Sequence, residues 1–327
     1  MLLNLSDIKK ITVGVESIEE NDGKFSFFRF RECEANALIE KDNPNYYKRA
    51  FNSAGVRLSF YTDARTLSFD YECVSEPARK LGHFDVYVNG VLSYHFGYTD
   101  LEEYKSSFKA ELPKGGATVD IYLPWSAKTV LKNLVLRDAG ELVPIKREKK
   151  ILCYGDSITQ GFDAEYPSLS YYSRICNMFS ADAINKGIAG YQFTPEFPCA
   201  KVDYEPEFIT VAYGINDWSK YDKAEFKRRC TGFFDALTSL YPDTRIFAIS
   251  PICYLDSYKP TPFGDSAESV DSYIRECVLD KKNLTVLNGW SFTPALAEFY
   301  YDCVLHPNDM GFALYAENLY REIVKNI

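Results

Sequence analysis

Apolar and polar positions alternate with a period of two through much of the first 140 residues. Val56-Arg57-Leu58-Ser59-Phe60-Tyr61 shows the pattern, as do Thr66 to Tyr71 and Thr118 to Leu123. Alternation places every second side chain on one face, which marks a strand with one face buried. The segment from His83 to Tyr94 holds two such runs on either side of Asn89-Gly90. Asn-Gly tolerates the positive φ angles of a tight turn, so the segment predicts a β-hairpin. No long helical pattern interrupts these strands. Residues 1–140 therefore predict an antiparallel β-sandwich of the jelly-roll kind.

The pattern changes after a linker at 141–150. Short apolar runs at Ile151–Tyr154, Ala183–Asn185, Phe208–Tyr213, Arg245–Ser250 and Leu284–Leu287 read as strands. Helical periodicity lies between them, near Ser168–Phe179, Lys223–Leu240 and Glu268–Val278. A last helix begins near Asn308, with Phe312, Tyr315, Leu319 and Ile323 inward at three-to-four residue spacing. Strand–helix alternation over 151–327 predicts an α/β domain, a five-stranded parallel sheet with helices on both faces.

At 327 residues the chain fits two domains. Aromatic residues reach 16%, an excess that suits packing on pleated surfaces at most positions, with a sugar-binding face as the alternative. The net charge of −9 draws neither nucleic acid nor an anionic membrane at long range. The basic run at Lys146, Arg147, Lys149 and Lys150 reads as solvated linker. The N-terminus lacks a basic stretch followed by a long apolar one, so no secretory signal is expected. Nine scattered cysteines, never spaced CxxC, are expected as reduced, mostly buried thiols of a cytoplasmic protein, with no metal site.

Open parallel sheets bind ligands beyond the carboxyl ends of their strands. Four blocks fall there. Gly155-Asp156-Ser157-Ile158 follows the first strand, Asn185-Lys186-Gly187-Ile188-Ala189-Gly190 the second, and Gly214-Ile215-Asn216-Asp217 the third. Asp302 to Asp309, with His306 at its centre, precedes the last helix. A Ser hydroxyl attacks an ester only if a base takes its proton, and His is the natural base near neutral pH. The oxyanion that forms needs preplaced donors. The N–H groups of Ser157 and Gly190 and the Asn216 amide are the candidates.

These four blocks, in this order, resemble the SGNH (GDSL-type) hydrolases, with GDSI standing where that family has GDSL. The resemblance implies a flavodoxin-like three-layer α/β/α domain, Ser157 as nucleophile, Gly190 and Asn216 as oxyanion donors, His306 as base, and no cofactor. The family's acid lies three residues before the His, where this chain has Cys303; Asp302 lies four before. The acid is then either Asp302, the favoured choice, or a backbone carbonyl that orients the ring. A β-sandwich ahead of this domain resembles the two-domain carbohydrate esterases, which implies hydrolysis of small acyl esters, acetyl foremost, on a small-molecule or oligosaccharide substrate. The alternatives are a thioesterase or lipid esterase, and an inactive hydrolase that binds carbohydrate.

Other residues near the blocks have plainer readings. Trp218 is balanced between a sugar platform and packing, and Asp156 is a tentative substrate contact. Asp217 is expected to cap a helix, and Asp309 to be first-turn charge on the last one. Cys153 and Cys303 are expected as small buried residues. His83 and His95 flank the hairpin as ordinary strand residues. Oligomeric state is not legible.

Overall fold

The alternating segments pair into two antiparallel sheets. In the computed structural model, which describes residues 1–39, 43–75, 79–99 and 103–327, helix α1 (Leu5–Ile11) opens the chain, capped by the Asn4 side chain. Strands β1 (Thr12–Val13), β2 (Ser17–Asn21) and β3 (Lys24–Phe28) follow, then the short helices α2 (Glu32–Ala37) and α3 (Asn45–Arg49). Strands β4 (Arg57–Thr62), β5 (Thr66–Ser75), β6 (Phe84–Val88), β7 (Val91–Phe96), β8 (Glu103–Glu111), β9 (Ala117–Tyr122), β10 (Ala127–Arg137) and β11 (Leu142–Pro144) complete this half. One sheet runs β1-β4-β9-β6-β7 with β11 on β4, and the other runs β2-β3-β10-β5-β8. Leu58, Phe60, Val86, Val119 and Ile121 of the first share one buried cluster with Phe25, Leu67, Phe69 and Leu131 of the second.

The expected hairpin is there: Asn89 and Gly90 have φ of 52° and 76°, and Val88 pairs with Val91. Strands β1, β2, β3, β8, β10 and β11 and three short helices were not anticipated. Strand β10 carries a register shift between Lys132 and Val135, so its alternation breaks midway. Helices α1 to α3 have seven, six and five residues, too few to establish a helical period.

The second half winds helices around a parallel sheet. It comprises β12 (Lys149–Gly155), α4 (Ser157–Gln160), α5 (Tyr171–Met178), β13 (Ala181–Gly187), β14 (Phe208–Ala212), α6 (Ile215–Lys220), α7 (Lys223–Leu240), β15 (Arg245–Ile249), α8 (Val270–Cys277), β16 (Leu284–Leu287) and α9 (Asp309–Asn326). The strand order is β13-β12-β14-β15-β16, every pair parallel. This is the flavodoxin-like order, whose reversal between β12 and β14 opens a crevice at the strands' carboxyl ends. Phe226, Phe233, Leu237 and Ile274 of α7 and α8 belong to one buried cluster. Ile175, Phe312, Leu319 and Ile323 of α5 and α9 belong to another, so both faces of the sheet are covered. Among the described residues no helix is long and apolar enough to cross a membrane.

The junction between the halves is built from charge. The stretch expected as a linker is structured: β11 joins the sandwich and Lys149 begins the parallel sheet. Arg147, read as solvated, donates to the Cys176 and Ala181 carbonyls, and Lys150 pairs with Asp182. Arg57 of β4 lies 3.0 Å from Asp182 at the foot of β13. Arg29 is wholly buried and donates to the carbonyls of Asn52, Asn185 and Gly187, and burial lowers its pKa to about 9. Lys186 of β13, also fully buried, pairs with Glu16 at 2.7 Å and Glu34 at 2.5 Å.

One expectation about cysteine fails here. Cys33, in α2, and Cys199, in the loop after β13, form a disulfide across 166 residues of sequence. No local spacing could announce it, and it removes the reduced-thiol argument for a cytoplasmic location. Cys153 is buried as expected, but Cys303 is exposed.

Candidate active site

The site assembles at the rim where β12, β13 and β14 end. Gly155 closes β12, and a Cβ there would meet Thr159 Oγ1 at 2.0 Å, so the strand turns into α4 only with glycine. Asp156 caps that helix, its Oδ1 accepting from the Ile158 N–H at 3.0 Å. Ser157 is thereby held at the first helical position, 5% exposed. The last loop brings His306 to it: Ser157 Oγ lies 3.0 Å from His306 Nε2, although 149 residues separate them. Asn308 caps α9, accepting from the Met310 and Gly311 N–H groups, and so fixes where that loop ends.

Asp302 reaches the ring. Its Oδ2 lies 2.6 Å from His306 Nδ1, while Oδ1 accepts from the N–H groups of Val304, Leu305 and His306. The extra residue between acid and His is taken up by Cys303, which adopts a left-handed φ of 59°. Burial pushes the Asp302 carboxyl up, but hydrogen bonds from His306, Leu305 and Val304 outweigh it and hold the group well below the ordinary carboxylate range. Asp302 is therefore ionised opposite the imidazole.

Asn216 links the residues next to the other two oxyanion candidates. Gly190 has φ of 78°, a conformation that favours glycine. Neither the Ser157 nor the Gly190 N–H donates to any described residue. The Asn216 Nδ2 lies 3.0 Å from the Tyr191 carbonyl and 3.3 Å from Asp156 Oδ2, so in this arrangement both its hydrogens face protein acceptors.

Trp218, left open between platform and packing, resolves to packing, and two expectations about neighbouring residues fail. Trp218 is 0% exposed and its Nε1 donates to the Asp265 carbonyl, so it is a core residue and no sugar platform. Asp156 is 3% exposed and both its oxygens are taken, one by the Ile158 N–H and the other by the Asn216 amide, with burial pushing its pKa up to about 7. Asp217 does not cap α6; it is buried and accepts from the Phe193 N–H, and burial pushes it up to about 8. Asp309 does lie in the first turn of α9, where it also accepts from the Glu165 N–H. His95 pairs with Asp85, and the His83 ring contacts the Glu165 carbonyl.

Residues that the sequence did not point to surround the imidazole. The Phe162 ring lies 4.8 Å from that of His306. Asp163 Oδ2 is 3.9 Å from His306 Nδ1, and Arg79 of the sandwich half grips both oxygens of Asp163, at 2.7 and 2.9 Å. Asp163, Asp302 and His306 form the one cluster among the described residues with ligand atoms close enough for a metal ion. Their donors are already engaged with Arg79, Ser157 and one another. No motif marks Asp163 or Arg79 in sequence, because their meeting depends on how the halves pack.

Four chain segments thus contribute to the site. Residues 153–314 match the GDSL-like Lipase/Acylhydrolase family. The parallel-sheet half is a domain of that family. A search of the curated proteins finds no match. Solved structures share the fold over nearly the whole chain. The salicylyl-acyltransferase SsfX3 from a tetracycline biosynthetic pathway superposes with a TM-score of 0.83 at 22% identity, covering 96% of this chain and 94% of that one. A family two carbohydrate esterase from Cellvibrio japonicus gives 0.69 at 17% identity, covering 98% and 96%. The acetyl xylan esterase Est2A from Butyrivibrio proteoclasticus gives 0.61 at 15% identity, covering 84% and 90%. The two-part fold, a parallel-sheet domain with a sandwich in front, is thus shared.

Proposed function

We propose that this GDSL-family chain is a serine esterase that removes small acyl groups, acetyl foremost, from a carbohydrate. One observation carries the reading: an unbroken line from the Ser157 hydroxyl, 3.0 Å to the His306 ring, 2.6 Å on to the Asp302 carboxylate. In this mechanism Ser157 Oγ attacks the ester carbonyl while His306 Nε2 takes its proton. The N–H groups of Ser157 and Gly190 receive the oxyanion, joined by Asn216 if its amide turns from Tyr191. His306 then protonates the departing sugar hydroxyl, leaving an acyl-enzyme. Water, deprotonated by the same ring, attacks that ester and releases the acid and Ser157. Asp302 fixes the tautomer that leaves Nε2 free to accept, and stabilises the imidazolium. The carbohydrate assignment draws on the fold shared with carbohydrate esterases, an analogy of architecture.

The test is a series of p-nitrophenyl esters of increasing acyl length and an acetylated oligosaccharide, with wild type and Ser157→Ala. Wild type is expected to prefer acetate, and the variant to lose at least about 10⁴-fold in kcat. Octanoate cleaved far better than acetate removes the deacetylase reading. A Ser157→Ala protein as active as wild type removes the nucleophile.

A further inference from the structure

We propose that Arg49, contributed by the sandwich half, is a positioning residue that aims the Gly190 N–H into the oxyanion site. The inference rests on the esterase reading and deepens it. It comes from accounting for every backbone polar group in the loop 188–191. The Ile188 N–H donates to the Gly155 carbonyl at 3.0 Å, the Ala189 N–H to Gln160 Oε1 at 2.8 Å, and the Tyr191 N–H to the Ile188 carbonyl at 3.0 Å. On the acceptor side, Ala189 O receives Arg49 Nη1 at 2.5 Å, Gly190 O receives the Tyr46 hydroxyl at 3.0 Å, and Tyr191 O receives Asn216 at 3.0 Å. Among the described residues, the Gly190 N–H is the one group of this loop left without a protein partner.

The consequence follows from peptide geometry. The Ala189 carbonyl and the Gly190 N–H belong to one planar trans peptide, so they point in opposite directions. Arg49 holding the oxygen on one side directs the hydrogen to the other. Tyr46 packs behind the same peptide: a Cβ on Gly190 would lie 3.4 Å from both Arg49 Nη1 and the Tyr46 ring. Both side chains come from α3, a short helix outside the matched family segment. The loop has no strand or long helix of its own to set its orientation, and an oxyanion donor works only if its direction is fixed before the charge develops. Arg49 is in turn held by the fold, since its own carbonyl accepts from the buried Arg29. One half of the chain thus supplies the nucleophile and base, and the other sets the angle of the donor.

The test compares Arg49→Met, which keeps the aliphatic stem, and Arg49→Lys, which keeps a charge and one donor, with wild type. An oxyanion donor acts in the transition state and not on bound substrate. Arg49→Met is therefore expected to lose about tenfold to a hundredfold in kcat on p-nitrophenyl acetate while KM moves less than about twofold. Arg49→Lys is expected to recover part of that loss. Amide hydrogen exchange of the peptide spanning residues 188–193 is expected to quicken in Arg49→Met while the parallel strands stay protected. Unchanged kcat, or unchanged exchange in that peptide, overturns the proposal. If Arg49→Met does not fold, the same two readouts on Arg49→Lys decide. If wild type cleaves no ester, the esterase reading falls, and the exchange comparison alone decides whether Arg49 orders the loop.

Discussion

The two halves treat buried charge in opposite ways. In the parallel-sheet half, Asp156 and Asp217 are buried beneath the site, and burial pushes them up to about 7 and about 8. The sandwich half instead directs its buried or half-buried charge outward to its neighbour. Arg29 holds the Asn185 and Gly187 carbonyls, Glu16 and Glu34 hold Lys186, Arg49 holds Ala189, and Arg79 holds Asp163. Five of these contacts fall on the strand and loop that carry Gly190, and the last falls beside His306. Such pairs are costly to bury and contribute little net stability compared with apolar packing. Their value here is orientation: each fixes one backbone or carboxylate direction near the site. The sandwich is thus part of the site's framework as well as a neighbour.

The sharpest way to break this view is at Lys186. Were the halves independent, losing one junction cation would cost little. Replacing it with Met leaves Glu16 with Arg31 alone and the buried Glu34 with only the Arg31 N–H, and removing one member of a buried pair costs about 3–5 kcal/mol. Lys186→Met is expected to lower stability by that amount in urea unfolding, with both halves melting together. A separate, unshifted transition for the parallel-sheet half would refute the shared framework.

The same contrast explains what was legible in sequence. All five parallel strands were read from apolar runs, because strands buried on both faces carry continuous hydrophobic signal. Ser157, Gly190, Asn216 and His306 were legible because each follows a strand or precedes a helix at a readable boundary. Asp302 was favoured by proximity, but its reach depended on the left-handed turn at Cys303, which no spacing encodes. In the sandwich, β10 was missed because its bulge breaks alternation, and α3 because five residues do not establish a period. Arg29, Arg49, Arg79 and the Cys33–Cys199 bond were illegible for one shared reason. Their partners lie 84 to 166 residues away, and only packing brings them together. Trp218 stayed open between platform and packing because adjacency to a motif says nothing about which way a helix turns its side chain.

Two carboxylates beside His306 sharpen the comparison further, since one is held by its own loop and the other by the sandwich. Asp302→Asn puts the wrong partner on Nδ1 and disturbs the tautomer, and about 10²–10⁴-fold in kcat is expected to go. Asp163→Asn leaves that bond in place and removes only the anchor of Arg79, so about tenfold is expected. If Arg79 acts through Asp163, the double variant Asp163→Asn with Arg79→Met is no worse than either single one, because the second change has nothing left to remove. Additive losses in kcat/KM would show that Arg79 acts by another route.

The last test concerns Asp217, a buried carboxyl in the half that receives no charge from the sandwich at that point. Its folded pKa is raised by burial from the ordinary carboxyl value of 3.8 to about 8. Below the ordinary value both folded and unfolded chains carry the proton, and nothing changes. As pH rises through the window the unfolded chain releases its proton first, so the folded state loses stability relative to it until about pH 8, and the loss is constant above that. One such group contributes a slope of at most about 1.4 kcal/mol per pH unit. Asn keeps an oxygen for the Phe193 N–H and has no proton to lose. Asp217→Asn is therefore expected to match wild type near pH 4 and to gain on it steadily toward pH 8, read as a flatter plot of unfolding free energy against pH. Asp156, pushed up to about 7, and Asp309, pushed up to about 6, leave a residual slope of the same sign at lower pH. A variant whose stability falls with pH as steeply as wild type would mean that Asp217 is already ionised in the folded chain, and that Arg229, whose charge favours the ionised form, compensates its burial after all.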